Sequence, residues 1–571
     1  MMVMLAHLPR DVLDEILAEV VKHHSSDDGS TRGLAAYASV CEYWRDFFES
    51  MTFRNLLLAH TDLGDFEIYL DPSTNRRRFV KHIALTVQLP GPAEALSSLE
   101  LDPNSTALYD AKRISQKRMT YALRDLLLAL SKWDIKEDGG GQGLTLELGA
   151  YSPVESTVRF LGGLAPVNGR ETNRLYSKFL ESGTYDARRD PDVELLEEFR
   201  APPPGEESNW NWAMRRLVGD PSLRLDFGGL LPLEHHSREF ATAAVVTKLL
   251  VRLRYFRNLS PMMMGRLLTV LPRVRDVHWE RWCHASPRQD RAWSHEAALI
   301  LQQSLPASVK NLTIFAESDT AFHQRRGITA SGAKVSDLVD SVFDRSTDLE
   351  DLSISFLIDA VDFFGLFPSQ LLPADSDDRW SSLTSLALTS TVLTSESDAV
   401  VNKLLQSAAR AAWFMPSLRV MEVWDRRGRH AAIFRYQVTD RVTTLAWKGT
   451  WELGITPTTK KAWVTVVAKH GSGMSRLGVE IGRFPEEDLE RCGFVYGHLE
   501  LRERILHEVS IHQVEEVEKM EGRDIDDGND TDSDTGSDIE DWTDDSDTGD
   551  ETYASINIDP GHTVHINIAS A

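Results

Sequence analysis

Apolar residues recur along this chain in two alternating rhythms. One is a triplet spaced i, i+3, i+5: Val246/Leu249/Val251, Val274/Val277/Trp279, Val309/Leu312/Ile314, Leu349/Leu352/Ile354, Leu383/Leu386/Leu388, Leu418/Met421/Val423, Val442/Leu445/Trp447 and Met474/Leu477/Val479. The last two members of each triplet alternate, as one buried face of a short strand does. The other rhythm is helical and precedes several triplets, over Pro261–Leu271, His295–Leu305, Val335–Phe343 and Asp398–Trp413. In the last of these Val401, Leu404, Leu405 and Ala408 form one stripe. Turn signals join the two rhythms: Leu271-Pro272, Leu305-Pro306, Ser346-Thr347-Asp348 and Met415-Pro416-Ser417. The spacing therefore predicts helix, turn and short strand, repeated about every 33 residues over 246–520.

Residues 61–245 are less regular. Val80/Ile83/Leu85 and Leu144–Leu148 read as strands and Tyr121–Leu130 as a helix, with loops at Gly139–Gly143 and Ala201–Gly205. This region reads as a connecting α/β segment leading into the repeat. Upstream, Leu8-Pro9-Arg10-Asp11 opens a helix on which Val12, Leu13, Ile16, Leu17 and Val20 share a face. A polar break from His23 to Gly33 precedes Leu34, Tyr37, Ala38 and Val40, then Cys41-Glu-Tyr-Trp44-Arg45 and Phe53. Residues 1–60 thus read as three short helices, too small a unit to hide all its large side chains, so some are expected to face a partner.

This N-terminal segment resembles an F-box. The matching positions are Leu8-Pro9, Ile16-Leu17, Val40-Cys41-x-x-Trp44-Arg45 and Phe53; the spacing from Ile16 to Val40 is about nine residues longer than usual, and the polar stretch Ser25–Thr31 accounts for it as a loop insertion. The repeat resembles an irregular leucine-rich-repeat solenoid, with a longer period and without that family's asparagine. Asn209–Phe227 and Val246–Arg252 resemble F-box proteins of filamentous fungi that have no known substrate. The resemblance implies an α+β chain: an F-box, a solenoid and a tail. It further implies docking on the Skp-type adaptor of a cullin ubiquitin ligase through Leu8, Pro9, Val12, Ile16, Leu17, Leu34, Val40, Cys41, Trp44 and Phe53. A protein substrate of unknown identity would then be held on the solenoid. On a solenoid's strand face, alternate residues point outward. The candidates for substrate contact are Asp276, His278, Asn311, Thr313, Asp351, Ser353, Ser385 and Glu422, and Trp279, Trp424 and Trp447 are expected to pack in the core. A scaffold that binds partners without any ligase is the alternative, its first helices serving only as a cap.

Charge and composition narrow these readings. The 571 residues carry 62 Lys/Arg and 87 Asp/Glu, for a net charge of −25. Fifteen of the acids fall between Asp524 and the C-terminus, where there is no Lys or Arg, so the preceding 523 residues carry −10. A mildly acidic body is a poor phosphate binder, so no nucleic acid is expected as a partner. The basic clusters Arg76–Arg78 and Arg426–Arg429 read as solvated surface. The acidic tail, 521–571, reads as disordered, with Thr531, Ser537 and Thr548 fitting acidophilic kinases. On that tail alone a chaperone for basic proteins would be a third reading. Asp530-x-Asp532-x-Asp534 lacks the glycine and glutamate of a calcium loop.

Neither a membrane span nor a signal peptide is expected, since Met1–Leu5 is cut short by His7, Pro9 and Arg10. Three cysteines, Cys41, Cys283 and Cys492, point to a reducing cytoplasmic or nuclear compartment, and Cys41 reads as a small buried hydrophobe. No P-loop, dinucleotide fingerprint or nucleophile elbow occurs. His507-Glu508 with His512 has the second histidine one residue late for a zinc helix. His278, Cys283 and His284 read as a structural cluster. No catalytic residue, metal or cofactor is expected.

Overall fold

The computed structural model describes residues 9–28, 34–89, 106–151, 223–225, 240–253, 258–284, 287–317, 336–368, 379–395, 397–427, 430–439, 442–470, 476–489 and 493–511. Leu8, most of Asn209–Phe227, and the tail from 521 lie outside these residues.

Three helices come first: α1 (Arg10–Asp28), α2 (Leu34–Ala38) and α3 (Glu42–Thr52). One twelve-stranded sheet follows, its strands hydrogen-bonded in chain order. The strands are β1 (Asn55–Ala59), β2 (His82–Gln88), β3 (Leu144–Tyr151), β4 (Val246–Val251), β5 (Asp276–Trp282) and β6 (Asn311–Glu317). They continue with β7 (Asp351–Asp359), β8 (Ser385–Thr389), β9 (Val420–Arg427), β10 (His430–Val438), β11 (Val442–Gly449) and β12 (Arg476–Arg483). Pairing is parallel except that β10 is antiparallel to both β9 and β11. The fold is therefore mixed α/β.

Parallel neighbours need a crossover between them. The described crossovers carry α4 (Leu63–Tyr69), α5 (Thr106–Leu130), α6 (Pro261–Thr269), α7 (Pro287–Gln303), α8 (Ser336–Ser346), α9 (Ala360–Gly365), α10 (Asp398–Trp413) and α11 (Pro457–His470). Two short helices follow β12, α12 (Glu486–Leu489) and α13 (Arg502–Ile505), and a helical turn at 508–511 ends the described chain. Consecutive right-handed crossovers place their helices on the same side of a sheet. Accordingly Leu249, Val277, Leu312, Leu352, Leu386, Met421 and Leu445 share one large core with the α6–α10 residues Leu267, Leu301, Val342, Phe363 and Leu405. Packing is close enough that a Cβ on Gly265 of α6 would lie 2.4 Å from Ile300 Cδ1 of α7.

The described members of all eight apolar triplets fall at strands, and the structure explains the leading residue of five; Val246 and Val442 lie within their strands, and Met474 lies outside the described residues. Val274, Val309, Leu349, Leu383 and Leu418 precede their strands and are buried. Each donates its N–H three residues back, to Leu271, Pro306, Ser346, Trp380 and Met415 respectively. The following N–H groups of Arg275, Lys310, Glu350, Thr384 and Arg419 donate one repeat back, to the carbonyls of Thr247, Arg275, Lys310, Glu350 and Thr384 at the start of the preceding strand, at 2.7–2.8 Å. A tight turn thus feeds every one of these strands at the same offset.

Four expectations need correction. The sheet begins at Asn55, inside the segment assigned to the N-terminal helices, and β1–β3 continue directly into β4. β10 was not foreseen; it forms a hairpin with β9 beside the Arg426–Arg429 cluster. Arg76–Arg78 are only partly a solvated cluster: Arg77 is buried and donates to the Leu70 carbonyl, Arg76 is half-buried and pairs with Glu49 at 2.7 Å, and Arg78 is exposed, pairing with Asp46 at 2.8 Å. Arg426 is likewise held inward by Glu317 and by Tyr496 Oη.

Candidate functional site

Two surfaces carry the residues singled out by the sequence. The first is the N-terminal helical unit. Leu17 and Phe48 are fully buried and form its centre, with Val20, Tyr37, Trp44 and Phe47 around them. Tyr37 stacks on Phe48 at 5.4 Å and Trp44 lies 5.9 Å away. Tyr43 Oη donates to Asp14 and ties α3 to α1. This small core is separate from that of the sheet.

Val12 and Ile16, one turn apart on α1, are 37% and 36% exposed. Pro9 is exposed at the start of α1, where its carbonyl accepts the Leu13 N–H. Leu17 points inward and Trp44 is half-buried against Phe48, so these two shape the unit. Phe53 packs against the sheet's core, under the Arg76 guanidinium at 4.8 Å. Val40 is half-buried, and the Leu34 side chain lies outside the described residues. Cys41 is exposed, not buried: it occupies the extended N-cap position of α3, with φ −161°. The pairs Arg76–Glu49 and Arg78–Asp46 fasten α3 to the sheet end.

The second surface is the sheet face away from the helices. The strand register aligns the sequence candidates in two rows. Asp276, Asn311, Asp351 and Ser385 form one, and His278, Thr313, Ser353, Ala387 and Glu422 form the next. Asn311 Nδ2 donates to Asp276, and Ser385 Oγ to Asp351. The expected ladder therefore exists, but its second row is not an open surface. His278, Thr313, Ser353 and Glu422 are buried, and so is Ser385 of the first row.

Residues 493–511 cover it. After β12 the chain crosses to this face, and Val495, Tyr496, Leu499, Ile505, Leu506 and Ile511 pack on Phe315, Ala387, Trp424 and Ile433 in a second core. The physical reason is polar as well as apolar, because the segment's backbone uses the ladder's side chains. Glu422 accepts the N–H groups of Glu500 at 3.0 Å and Leu501 at 2.8 Å, and Arg435 Nε at 2.7 Å. Thr313 Oγ1 donates to the Arg504 carbonyl at 2.7 Å, and Arg504 pairs with Asp351 at 3.0 Å. Glu280 accepts from His507 N, Leu253 N and Ser510 Oγ and lies 2.7 Å from His278 Nε2.

Buried charges that are paired and hydrogen-bonded hold one geometry; a charge left alone there is costly. Burial opposes the Arg426 charge, but Glu317 and Tyr496 outweigh it and raise its pKa. His507 is held well below the usual histidine range, first by burial and then by Arg252 and His278. Burial raises the Cys283 thiol, leaving it inert, while Arg281 and His284 overcome burial to keep Asp290 ionised.

The backbone is strained at one point of this face. The β7–β8 pairing shifts between Ile354 and Asp359, and Phe356 takes φ 62°. Its N–H bonds Thr389 Oγ1 at 2.7 Å, and its ring meets Phe315 and Trp424 at 5.6 and 5.1 Å. Among the described residues no group of three or more His, Cys, Asp or Glu is arranged to hold a metal, and no helix is long and apolar enough to cross a membrane.

Residues 304–507 match a family of unknown function (DUF6546). No curated protein matches the chain. The matched region runs from the end of α7 through β12 and into the covering segment, so the chain is similar to that family over the β6–β12 sheet and its cover together.

Proposed function

We propose that this chain is a non-catalytic, substrate-recognition subunit of an SCF-type cullin ubiquitin ligase, docking on a Skp-type adaptor through the N-terminal helices and presenting a protein substrate on the sheet body. The observation that carries the reading is the exposure of Val12 and Ile16 on a helical unit with its own small core. Apolar residues kept at the surface of an otherwise satisfied unit mark a partner site. With Pro9 they form the docking patch, while Leu17 and Trp44 support it from inside.

Chain-order pairing of twelve strands with helices between them is what an irregular leucine-rich-repeat solenoid would give, and it supports that finer reading of the body. The β9–β10–β11 hairpins are a departure from it. Because residues 493–511 occupy the middle of the strand face, the substrate surface on this reading is the row Asp276, Asn311 and Asp351 together with the outer side of the covering segment. The subunit's contribution to ubiquitin transfer is positional, raising the effective concentration of a substrate lysine at the ligase. Cytoplasm or nucleus is the compartment this implies.

The test is capture of the full chain by a purified Skp-type adaptor, comparing wild type with a Val12→Asp, Ile16→Asp variant. Both positions are exposed, so the variant should fold, which circular dichroism checks. Capture of wild type alone is the expected result. Failure of folded wild type to bind would overturn the proposal and favour the alternative, a repeat scaffold without a ligase.

A further inference from the structure

The sheet ends at β12 in an unusual state. Its register pairs Val442 with Arg476 through Gly449 with Arg483, and among the described residues no strand lies along its other edge. An open edge presents a row of unpaired N–H and C=O groups, a template for another strand. The apolar face is open too. Leu445 and Trp447 of β11 are buried, but their register partners Val479 and Ile481 are 36% and 43% exposed. Val464 of α11, the last crossover helix, is 51% exposed. The sheet's helix-side core therefore stops one strand short of closure.

Charge says what kind of chain fits there. Residues 457–483 hold Lys460, Lys461, Lys469, Arg476 and Arg483 against a single Glu480; Arg483 pairs with Glu452 and Lys469 donates to the Trp413 carbonyl, while Lys460 and Lys461 of α11 are exposed. The same chain supplies the complement. Asp524–Glu551 holds fourteen acids and no Lys or Arg. Beyond it the pattern changes: Tyr553-Ala-Ser-Ile-Asn-Ile558 and Thr563-Val-His-Ile-Asn-Ile-Ala569 alternate apolar with polar residues, separated by the turn sequence Asp559-Pro-Gly-His562. Period two on either side of a Pro-Gly turn is a hairpin signal. It is the chemistry an open, apolar-faced edge recruits.

We propose that residues 553–569 add to the outer edge of β12, guided by the acidic stretch 524–551 against the basic surface of α11 and β12. Val564, Ile566 and Ile568 then cover Val479 and Ile481. The polar alternates run beside Gly478, Glu480 and Gly482, a face with few side chains to obstruct them. A flexible chain of the length from Ile511 to Tyr553 would have a reach of roughly 35 Å. Tethering also decides the occupant. A linked segment is present at effective concentrations on the order of millimolar, whereas a second copy carries the same −25 charge and must associate from bulk solution.

Hydrogen exchange read by mass spectrometry on the full chain tests this at residues 476–483. Three proteins are compared: wild type, a truncation after Thr552, and Ile566→Lys, Ile568→Lys. The expected result is that β12 amides exchange about tenfold faster in both variants, while β5–β8 are unchanged and report an intact fold. A synthetic 553–571 peptide added to the truncated protein should restore the protection. Equal β12 exchange in all three proteins would overturn the proposal. So would protection that rises with protein concentration, which would assign the edge to a second copy.

Discussion

Glu422 separates two accounts of the sheet's strand face. As an open ladder position it would be a contact for a bound partner. In the structure its carboxylate is fully buried and holds the Glu500 and Leu501 N–H groups together with Arg435. Glu422→Ala leaves two partly buried N–H groups without an acceptor and an arginine without its counter-charge. Hydrogen bonds to charged groups contribute about 1.5–3 kcal/mol each, and a half-broken buried pair costs about 3–5 kcal/mol, so a loss of about 4 kcal/mol is expected. The loss should appear first as release of the covering segment. Opening of residues 493–511 should become roughly a thousandfold more frequent, since each 1.4 kcal/mol is a factor of ten. Hydrogen exchange of peptides spanning 499–506 reads this directly, and a urea midpoint gives the global part. Exchange there within about threefold of wild type, with the midpoint unmoved, would refute the clamp and return Glu422 to the role of a free ligand.

Three further expectations follow from the same contacts. Arg76→Ala removes the pairing with Glu49 and the stacking over Phe53, so α1–α3 should become protease-sensitive while the sheet stays resistant; equal digestion of both regions would contradict this. At Phe356, held at φ 62°, Phe356→Gly should be more stable than Phe356→Ala by about 1 kcal/mol, the reverse of the usual order in a strand; calorimetry decides the sign. The Asp425 carboxyl is pushed up to about 6, chiefly by burial, with Asp359 adding to the rise. In the fold it keeps its proton above the pH where the unfolded chain loses it, so its contribution is complete below about pH 4 and lost as pH rises through about 6. Asp425→Asn should flatten the stability slope between those values and raise stability at pH 8 by at most about 3 kcal/mol. A slope unchanged by the substitution would show that Asp425 does not titrate there.

What could be read from the sequence depended on whether the cause was local. Five of the triplets, led by Val274, Val309, Leu349, Leu383 and Leu418, located their strands because a buried leading residue, a tight turn and a one-faced strand are all set within about six neighbouring positions. α10 matched its predicted bounds, Asp398–Trp413, for the same reason. Register then placed Asp276 beside Asn311 and His278 beside Thr313, as a repeated offset must. Distant partners were invisible. Nothing around Glu422 announces that Leu501 will use its carboxylate, and Arg426 reads as surface until Glu317 and Tyr496 enclose it. The one available signal was the apolar set Leu499, Leu501, Ile505, Leu506, Val509 and Ile511, which follows the last triplet; its members Leu506/Val509/Ile511 repeat the triplet spacing but lie beyond the last strand of the sheet. At the N-terminus the helical spacing grouped Val12, Ile16 and Leu17 on one face. It could not divide them: a small unit buries only its central residue, so Leu17 went inside and the other two stayed out.

Most contacts in this sheet join one strand to the next, so each strand can settle soon after it is synthesised. The covering segment breaks that order: Thr313 meets Arg504 and Glu280 meets His507, partners 191 and 227 positions apart. During translation at about 5–20 residues per second, Phe315 of β6 therefore waits roughly 10–40 s for Tyr496 and Ile505 to emerge. Throughout that interval the nascent chain displays a bare aromatic face on a half-built sheet. Truncated or stalled chains ending before residue 493 keep that face permanently. They should bind holdase chaperones and aggregate, even though every crossover helix is already in place.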